Sequence, residues 1–176
     1  MAELVLGHTG QLGGPLLAQA RALLQEVFDD LADDDWEHCL GGLHALLRED
    51  GRVLGHAALV QRRLLHGGRA LRAGYVEGVA VRADARRRGH AARLMAELEQ
   101  VARGAYEVVA LGATDEGAAL YAARGWRRWQ GPTSALTPDG VVRTPDVDGA
   151  VWVLPLTARL DLSGELTCDW RGGDVW

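Results

Sequence analysis

Apolar positions along this chain switch between two periods, and the switches mark its elements. Residues 3 to 7, ELVLG, have the character of a first strand. Leu16, Ala20, Leu23, Leu24, Val27 and Phe28 then recur at helical spacing, which predicts an amphipathic helix ending near an acidic run. Trp36 to Leu47 reads as a second helical stretch, broken by Gly41-Gly42. Arg52 to Val60 and Gln61 to Leu65 read as two strands, with Gly67-Gly68 as the turn before a third. Leu71 to Arg82 is the expected central strand, and Ala91, Leu94, Met95, Leu98, Val101 and Ala102 form the apolar stripe of a long helix after it. Tyr106 to Leu111 reads as a buried strand, and Glu116 to Arg124 as a short helix stopped by Gly125. Trp126 to Trp129 begins another strand, Gly131 to Gly149 reads as a long Pro/Gly/Asp-rich loop, and Val151 to Leu156 as the last strand. The tail from Asp161 to Trp176 carries no clear period. Strand, helices, an antiparallel meander and then alternating strands and helices imply an α+β layered fold with a mixed sheet.

Size narrows this further. A chain of 176 residues, 48% of them apolar, is long enough for one packed domain, so residues 1–176 are expected to form a single domain. No apolar run approaches the roughly 18 residues of a membrane span. The opening MAELVLGHTG lacks the basic and apolar regions of a signal peptide. Cys39 and Cys168 give neither a disulfide framework nor metal-ligand spacing, and they read as buried thiols of a cytoplasmic protein.

Charge is informative in its distribution. The net charge of −5 argues against general binding of nucleic acid. Arg82, Arg86, Arg87, Arg88 and Arg93 nevertheless gather around one turn, whereas acids gather in 29–37, at Asp146 and Asp148, and in the tail. One anionic ligand and one cationic ligand would account for the split, although acidic runs are more often solvated loops.

The most informative stretch is YVEGVAVRADARRRGHA, Tyr75 to Ala91. It is an apolar strand carrying one carboxylate, Glu77, and it runs through an arginine-rich turn into a helix. Unpartnered N–H groups and the positive end of the dipole make such a helix start a phosphate site. A carboxylate in an apolar strand is costly unless it is used or paired, so Glu77 is either a general base or a structural partner of a nearby arginine. His38, His44 and His56 have no common metal-ligand spacing and read as neutral structural histidines, with no metal expected. Trp36, Trp126 and Trp129 suit either a sugar-binding wall or core packing.

Taken together, the motifs resemble the aminoglycoside 2′-N-acetyltransferase family of the GNAT superfamily. The superfamily marks are Arg86-x-x-Gly89-x-Ala91 and LYAARGW from Leu120 to Trp126. The more specific marks are DWEHCLGGLHAL from Asp35, LRAGYVEGVAVRAD from Leu71, GPTSAL from Gly131 and CDWRGGDVW from Cys168. The resemblance implies the GNAT acyl-CoA N-acyltransferase fold, a mixed sheet flanked by helices with two splayed parallel strands. It also implies acetyl-CoA as cosubstrate, a cationic aminoglycoside acetylated on its 2′-amine, and a homodimer. By the same resemblance Glu77 acts on the amine through water. Val79, Ala80 and Val81 present backbone groups to the pantetheine arm of coenzyme A, with the Val79 N–H facing the thioester oxygen. Arg86, Arg87, Arg88, Gly89, His90 and Ala91 cradle the pyrophosphate, although Arg87 and Arg88 also read as solvated. Tyr121 would protonate the departing thiolate, or else pack in the core. Asp30, Asp35, Asp174, the Gly78 backbone and the carboxylate of Trp176 would receive the acceptor. Val147 and the segment Gly112-Ala113-Thr114 depart from the family pattern, so contacts from those places are not carried over. Another polyamine or aminosugar acceptor, and a non-catalytic acetyl-CoA-binding module, remain the alternatives.

Overall fold

Alternation and helical spacing become elements in the expected order, with three differences. The computed structural model describes residues 2–176. Strand β1 (Glu3–His8) leads to α1 (Gly14–Val27), which carries Pro15 in its first turn, and to the short α2 (Asp33–Cys39). Three aspartates in its first turn complement the positive end of the α2 dipole. There follow β2 (Leu43–Glu49), β3 (Arg52–His66) and β4 (Arg69–Val81). After a 3-10 turn at Ala83–Ala85 comes α3 (His90–Ala105). Next are β5 (Val108–Gly112), α4 (Asp115–Ala123), β6 (Arg127–Arg128), β7 (Thr133–Thr137) and β8 (Gly140–Arg143). The last strands are β9 (Val151–Pro155) and β10 (Leu166–Cys168).

The differences have physical causes. Leu43 to Leu47 is a strand rather than the end of a helix, because β2 pairs on one side with β1 (His8↔Leu43) and on the other with β3 (Leu43↔Leu59). Arg52 to Leu65 is one continuous strand, not two. Most of the expected loop 131–149 is the β7–β8 hairpin, turning at Pro138-Asp139-Gly140.

Two compact units divide the chain, and β3 and β4 contribute residues to both. One contains residues up to Val60 with Val76–Val101, the other Gln61–Tyr75 with Ala102–Trp176. In the first, strands run β1-β2-β3-β4, with β1, β2 and β3 paired antiparallel. Its core packs Leu23 and Leu24 of α1 and Trp36 and Cys39 of α2 with Leu46, Val53, Ala58 and Ala80 of the sheet. In the second, the order is β6-β9-β5-β4-β3-β10-β7-β8. There β5 is parallel to β4 and antiparallel to β9, while β10 is antiparallel to β3 and parallel to β7. This is the mixed sheet with flanking helices that the residue pattern implied.

Candidate active site

Glu77 and the residues after it occupy a strand that loses one of its neighbours. The β4–β5 ladder runs from Ala73↔Val108 to Tyr75↔Ala110 and stops there, while β5 continues with β9 as far as Gly112↔Val151. On its other side β4 stays with β3, and just beyond its end the Arg82 N–H donates to the Leu54 carbonyl (2.9 Å). Glu77, Gly78 and Val79 are half-buried between buried Val76 and buried Ala80, and Val81 beyond them is half-buried too. Gly78 has φ +57°, and an added Cβ would lie 2.9 Å from the Cys39 sulfur and 3.2 Å from the His56 ring. A side chain is therefore excluded there both by conformation and by space.

The arginine-rich turn sits at the start of α3. Arg87 (φ 62°) and Gly89 (φ 78°) are left-handed, and the Arg93 N–H makes the first helical bond to the Gly89 carbonyl (3.0 Å). Such a turn aims backbone N–H groups outward at the start of a 16-residue helix. Not every nearby arginine is available. Arg82 pairs with Glu26 (2.8 Å) and Asp84 (3.5 Å), and Arg93 donates to the Ala2 carbonyl. Arg86 and Arg88 bond backbone carbonyls of Val81 and Asp84, which orders the turn, and the exposed Arg87 projects from its middle. His90 and Ala91 open α3 and are half-buried. These groups fit the pyrophosphate of a coenzyme A.

Acidic residues divide into committed and open groups. Asp33 pairs with Arg21 at 2.5 Å, and one Asp35 oxygen takes the Ala32 N–H at 2.8 Å, capping α2. The Cys39 sulfhydryl donates to the Asp35 carbonyl one turn back, so the helix that carries Asp35 packs on Gly78. Asp30 is exposed in the turn after α1.

Tyr121, Asp174 and Trp176 belong to the second unit. Tyr121 is buried in α4 with its ring folded back over Gly117, and burial pushes its phenol up to about 12. The tail is anchored by specific bonds. Asp174 accepts the Trp176 N–H (3.1 Å), the Trp176 indole donates to the Thr144 hydroxyl (2.9 Å), and Arg171 donates to the Asp174 carbonyl. Upstream, Arg62 is buried under Tyr75 and bonds both the carboxylate and the carbonyl of Asp169. Asp148 is likewise committed, to Arg143 and Thr133, which hold its carboxyl well below the usual range.

Trp36, Trp126 and Trp129 are all buried and pack in the core, so none forms an exposed sugar-binding wall. Among the described residues no group of three or more His, Cys, Asp or Glu could hold a metal ion. Sequence reasoning set His44 and His56 aside as structural, yet both rings are fully buried and bonded in a chain that reaches Gly78.

Comparison with known proteins agrees with this geometry. A family model for the acetyltransferase (GNAT) domain matches residues 17–129. The chain belongs to the GNAT acetyltransferase family. It is 51% identical, over 97% of its length and 90% of the relative's, to an aminoglycoside 2′-N-acetyltransferase of Mycolicibacterium fortuitum. Among solved structures it resembles the GNAT family N-acetyltransferase YhbS of Escherichia coli in complex with CoA (TM-score 0.64, 20% identity, 94% of this chain and 88% of that one). It also resembles Escherichia coli ElaA (TM-score 0.60, 17% identity, 87% and 99%). At such identities the structural likeness establishes the fold. Membership establishes an acetyltransferase, and among the described residues no helix is long and apolar enough to cross a membrane.

Proposed function

We propose that this enzyme transfers the acetyl group of acetyl-CoA to the 2′-amine of aminoglycosides, with residues 1–176 working as one catalytic domain in the cytoplasm. The observation that carries the reading is 51% identity over 97% of the chain to a 2′-N-acetyltransferase of aminoglycosides. The half-buried carboxylate on a strand edge and the anion-binding turn downstream of it agree with that chemistry.

When bound, acetyl-CoA supplies an acetyl thioester whose carbonyl carbon the amine attacks. The turn from Arg86 to Ala91 holds the pyrophosphate, and Val79, Ala80 and Val81 pair with the pantetheine arm as an added strand would. Glu77 takes a proton from the acceptor amine through water. An alkyl ammonium near pKa 10 is only about one part in a thousand deprotonated at pH 7, a penalty of roughly 4 kcal/mol that a placed base reduces. The Val79 N–H donates to the thioester oxygen as charge builds there, typically worth about 3 kcal/mol. Tyr121 serves the departing thiolate. With its phenol raised to about 12, it does so by donating a hydrogen bond. Full transfer to a thiolate near pKa 8.5 would be uphill by roughly 5 kcal/mol. Asp30, Asp35, Asp174, Trp176 and the Gly78 backbone receive the polycation. Several acids acting on one polycation select such a ligand and speed its arrival. A homodimer is part of the same proposal.

The test is thiol release from acetyl-CoA with paired acceptors. Tobramycin, with a 2′-amine, should be turned over, and a kanamycin with a 2′-hydroxyl should not. Absence of turnover with every 2′-amino aminoglycoside overturns the reading.

A further inference from the structure

Two buried histidines have no role in the mechanism above, and their bonding has a direction. In the β2–β3 register Leu46 lies opposite His56 and His44 opposite Ala58, so the two imidazoles are diagonal neighbours on one face of the sheet. His44 Nδ1 and His56 Nε2 are 2.9 Å apart, and His56 Nδ1 is 2.7 Å from the Gly78 carbonyl. At the outer end His44 Nε2 is 2.8 Å from the Thr9 hydroxyl, which also accepts the Gly41 N–H (3.0 Å).

A carbonyl only accepts, so with both rings neutral the ring protons of the chain are fixed. His56 carries its hydrogen on Nδ1 and donates it to Gly78. Its Nε2 lone pair then accepts from His44 Nδ1–H, and His44 Nε2 accepts from the Thr9 hydroxyl at 2.8 Å, nearer than the Gly42 carbonyl at 3.3 Å that competes for the same proton. All four groups are satisfied with both rings neutral. Burial supports this state by pushing both imidazoles down to about 4, with repulsion from His8 adding to the effect at His44.

The far end of this chain is a peptide group with two faces. The Gly78 carbonyl and the Val79 N–H belong to one trans peptide unit and point in opposite directions. With the carbonyl held inward by His56, the Val79 N–H is turned to the opposite edge. Strand alternation gives the same answer: the Arg82 N–H faces β3, so those of Val81 and Val79 face away from it. That edge is where the ladder with β5 has ended. Gly78 at φ +57° lacks the Cβ that would hold this peptide in an ordinary strand conformation.

We propose that His56, held in turn by His44, is a positioning residue for acetyl transfer: it anchors the Gly78 carbonyl and so keeps the Val79 N–H aimed at the thioester oxygen. The proposal rests on the acetyl-transfer reading. Without the anchor, rotation of the peptide would present the glycine carbonyl to the thioester oxygen, replacing a donor with a repulsive acceptor.

Two variants and one spectrum test it. His56→Leu removes the donor, whereas His56→Asn keeps an N–H where Nδ1 stands and breaks only the link to His44. In His56→Leu, kcat per folded molecule should fall on the order of 100-fold, the loss expected for one oxyanion donor, while acetyl-CoA affinity holds within about threefold. His56→Asn should recover to within about tenfold of wild type although it too is less stable. Wild-type kcat in His56→Leu, or equal losses in both variants, overturns the proposal. Should His56→Leu fail to fold, nitrogen-15 NMR of histidine-labelled wild type decides: both rings should be neutral Nδ1–H tautomers, and an Nε2–H tautomer at His56 contradicts the anchor. Failure of the functional reading looks different, as wild-type enzyme without aminoglycoside turnover.

Discussion

The two ends of β4 share one alternating pattern and differ in what surrounds them. From Ala73 to Tyr75 the strand has neighbours on both sides, β3 and β5, and Leu71, Ala73 and Tyr75 are almost fully buried. From Val76 to Val81 the β5 ladder is gone, Gly78 is left-handed, and Glu77 and Val79 are half-buried. The first half satisfies its backbone groups within the sheet, which makes it stable and chemically silent. The second half leaves an edge on which a cosubstrate can pair, and a buried histidine pair sets the direction of the peptide there.

Single changes should separate the two halves. The largest expected effect is in the second. Glu77→Gln should lower kcat roughly 1,000-fold, as for loss of a general base, most strongly near neutral pH where the acceptor amine is protonated. An unchanged pH–rate profile would remove Glu77 as the base. In the first half, Leu71→Ala should cost about 3 kcal/mol of stability, as for other buried leucines. It should leave kcat per folded molecule unchanged, which calorimetry and titrated active enzyme would check.

The smallest effect sharpens the contrast by pH. His44 and His56 titrate in the folded protein at about 4, below the usual 6.5. A depressed value means that protons favour the unfolded chain, so the stability these rings contribute is complete above about pH 6.5 and is lost as pH falls toward 4. Melting temperature should decline across that window, and the decline should flatten in a His44→Leu/His56→Leu double variant. A flat wild-type profile would contradict neutral buried rings.

Local signals made the strand–turn–helix unit legible. Alternation through β4, the arginine turn and the 3.6-residue stripe of α3 are each written within a few neighbouring residues. Leu43 to Leu47 was harder, because Leu40, Leu43, Leu46 and Leu47 also satisfy helical spacing, and only pairing with β1 and β3 decides for a strand. The β7–β8 hairpin did leave a signal, Pro138-Asp139-Gly140 between two apolar runs, which loop-rich composition obscured. Nothing local marks β10, three residues that pair with β3 and β7 from far away in the chain. The link from His44 through His56 to Gly78 was illegible for the same reason. Twelve residues separate the imidazoles, and only the β2–β3 register makes them neighbours. The burial that weakens the Tyr121 phenol as an acid was not written in its neighbours either.

One measurement sets the two halves of β4 directly against each other: tobramycin-dependent thiol release per folded molecule, with wild type, Glu77→Gln and Leu71→Ala side by side. Leu71→Ala should match wild type while Glu77→Gln falls roughly 1,000-fold below it. Equal rates in the two variants, or Leu71→Ala as the slower enzyme, would contradict the division of labour along this strand.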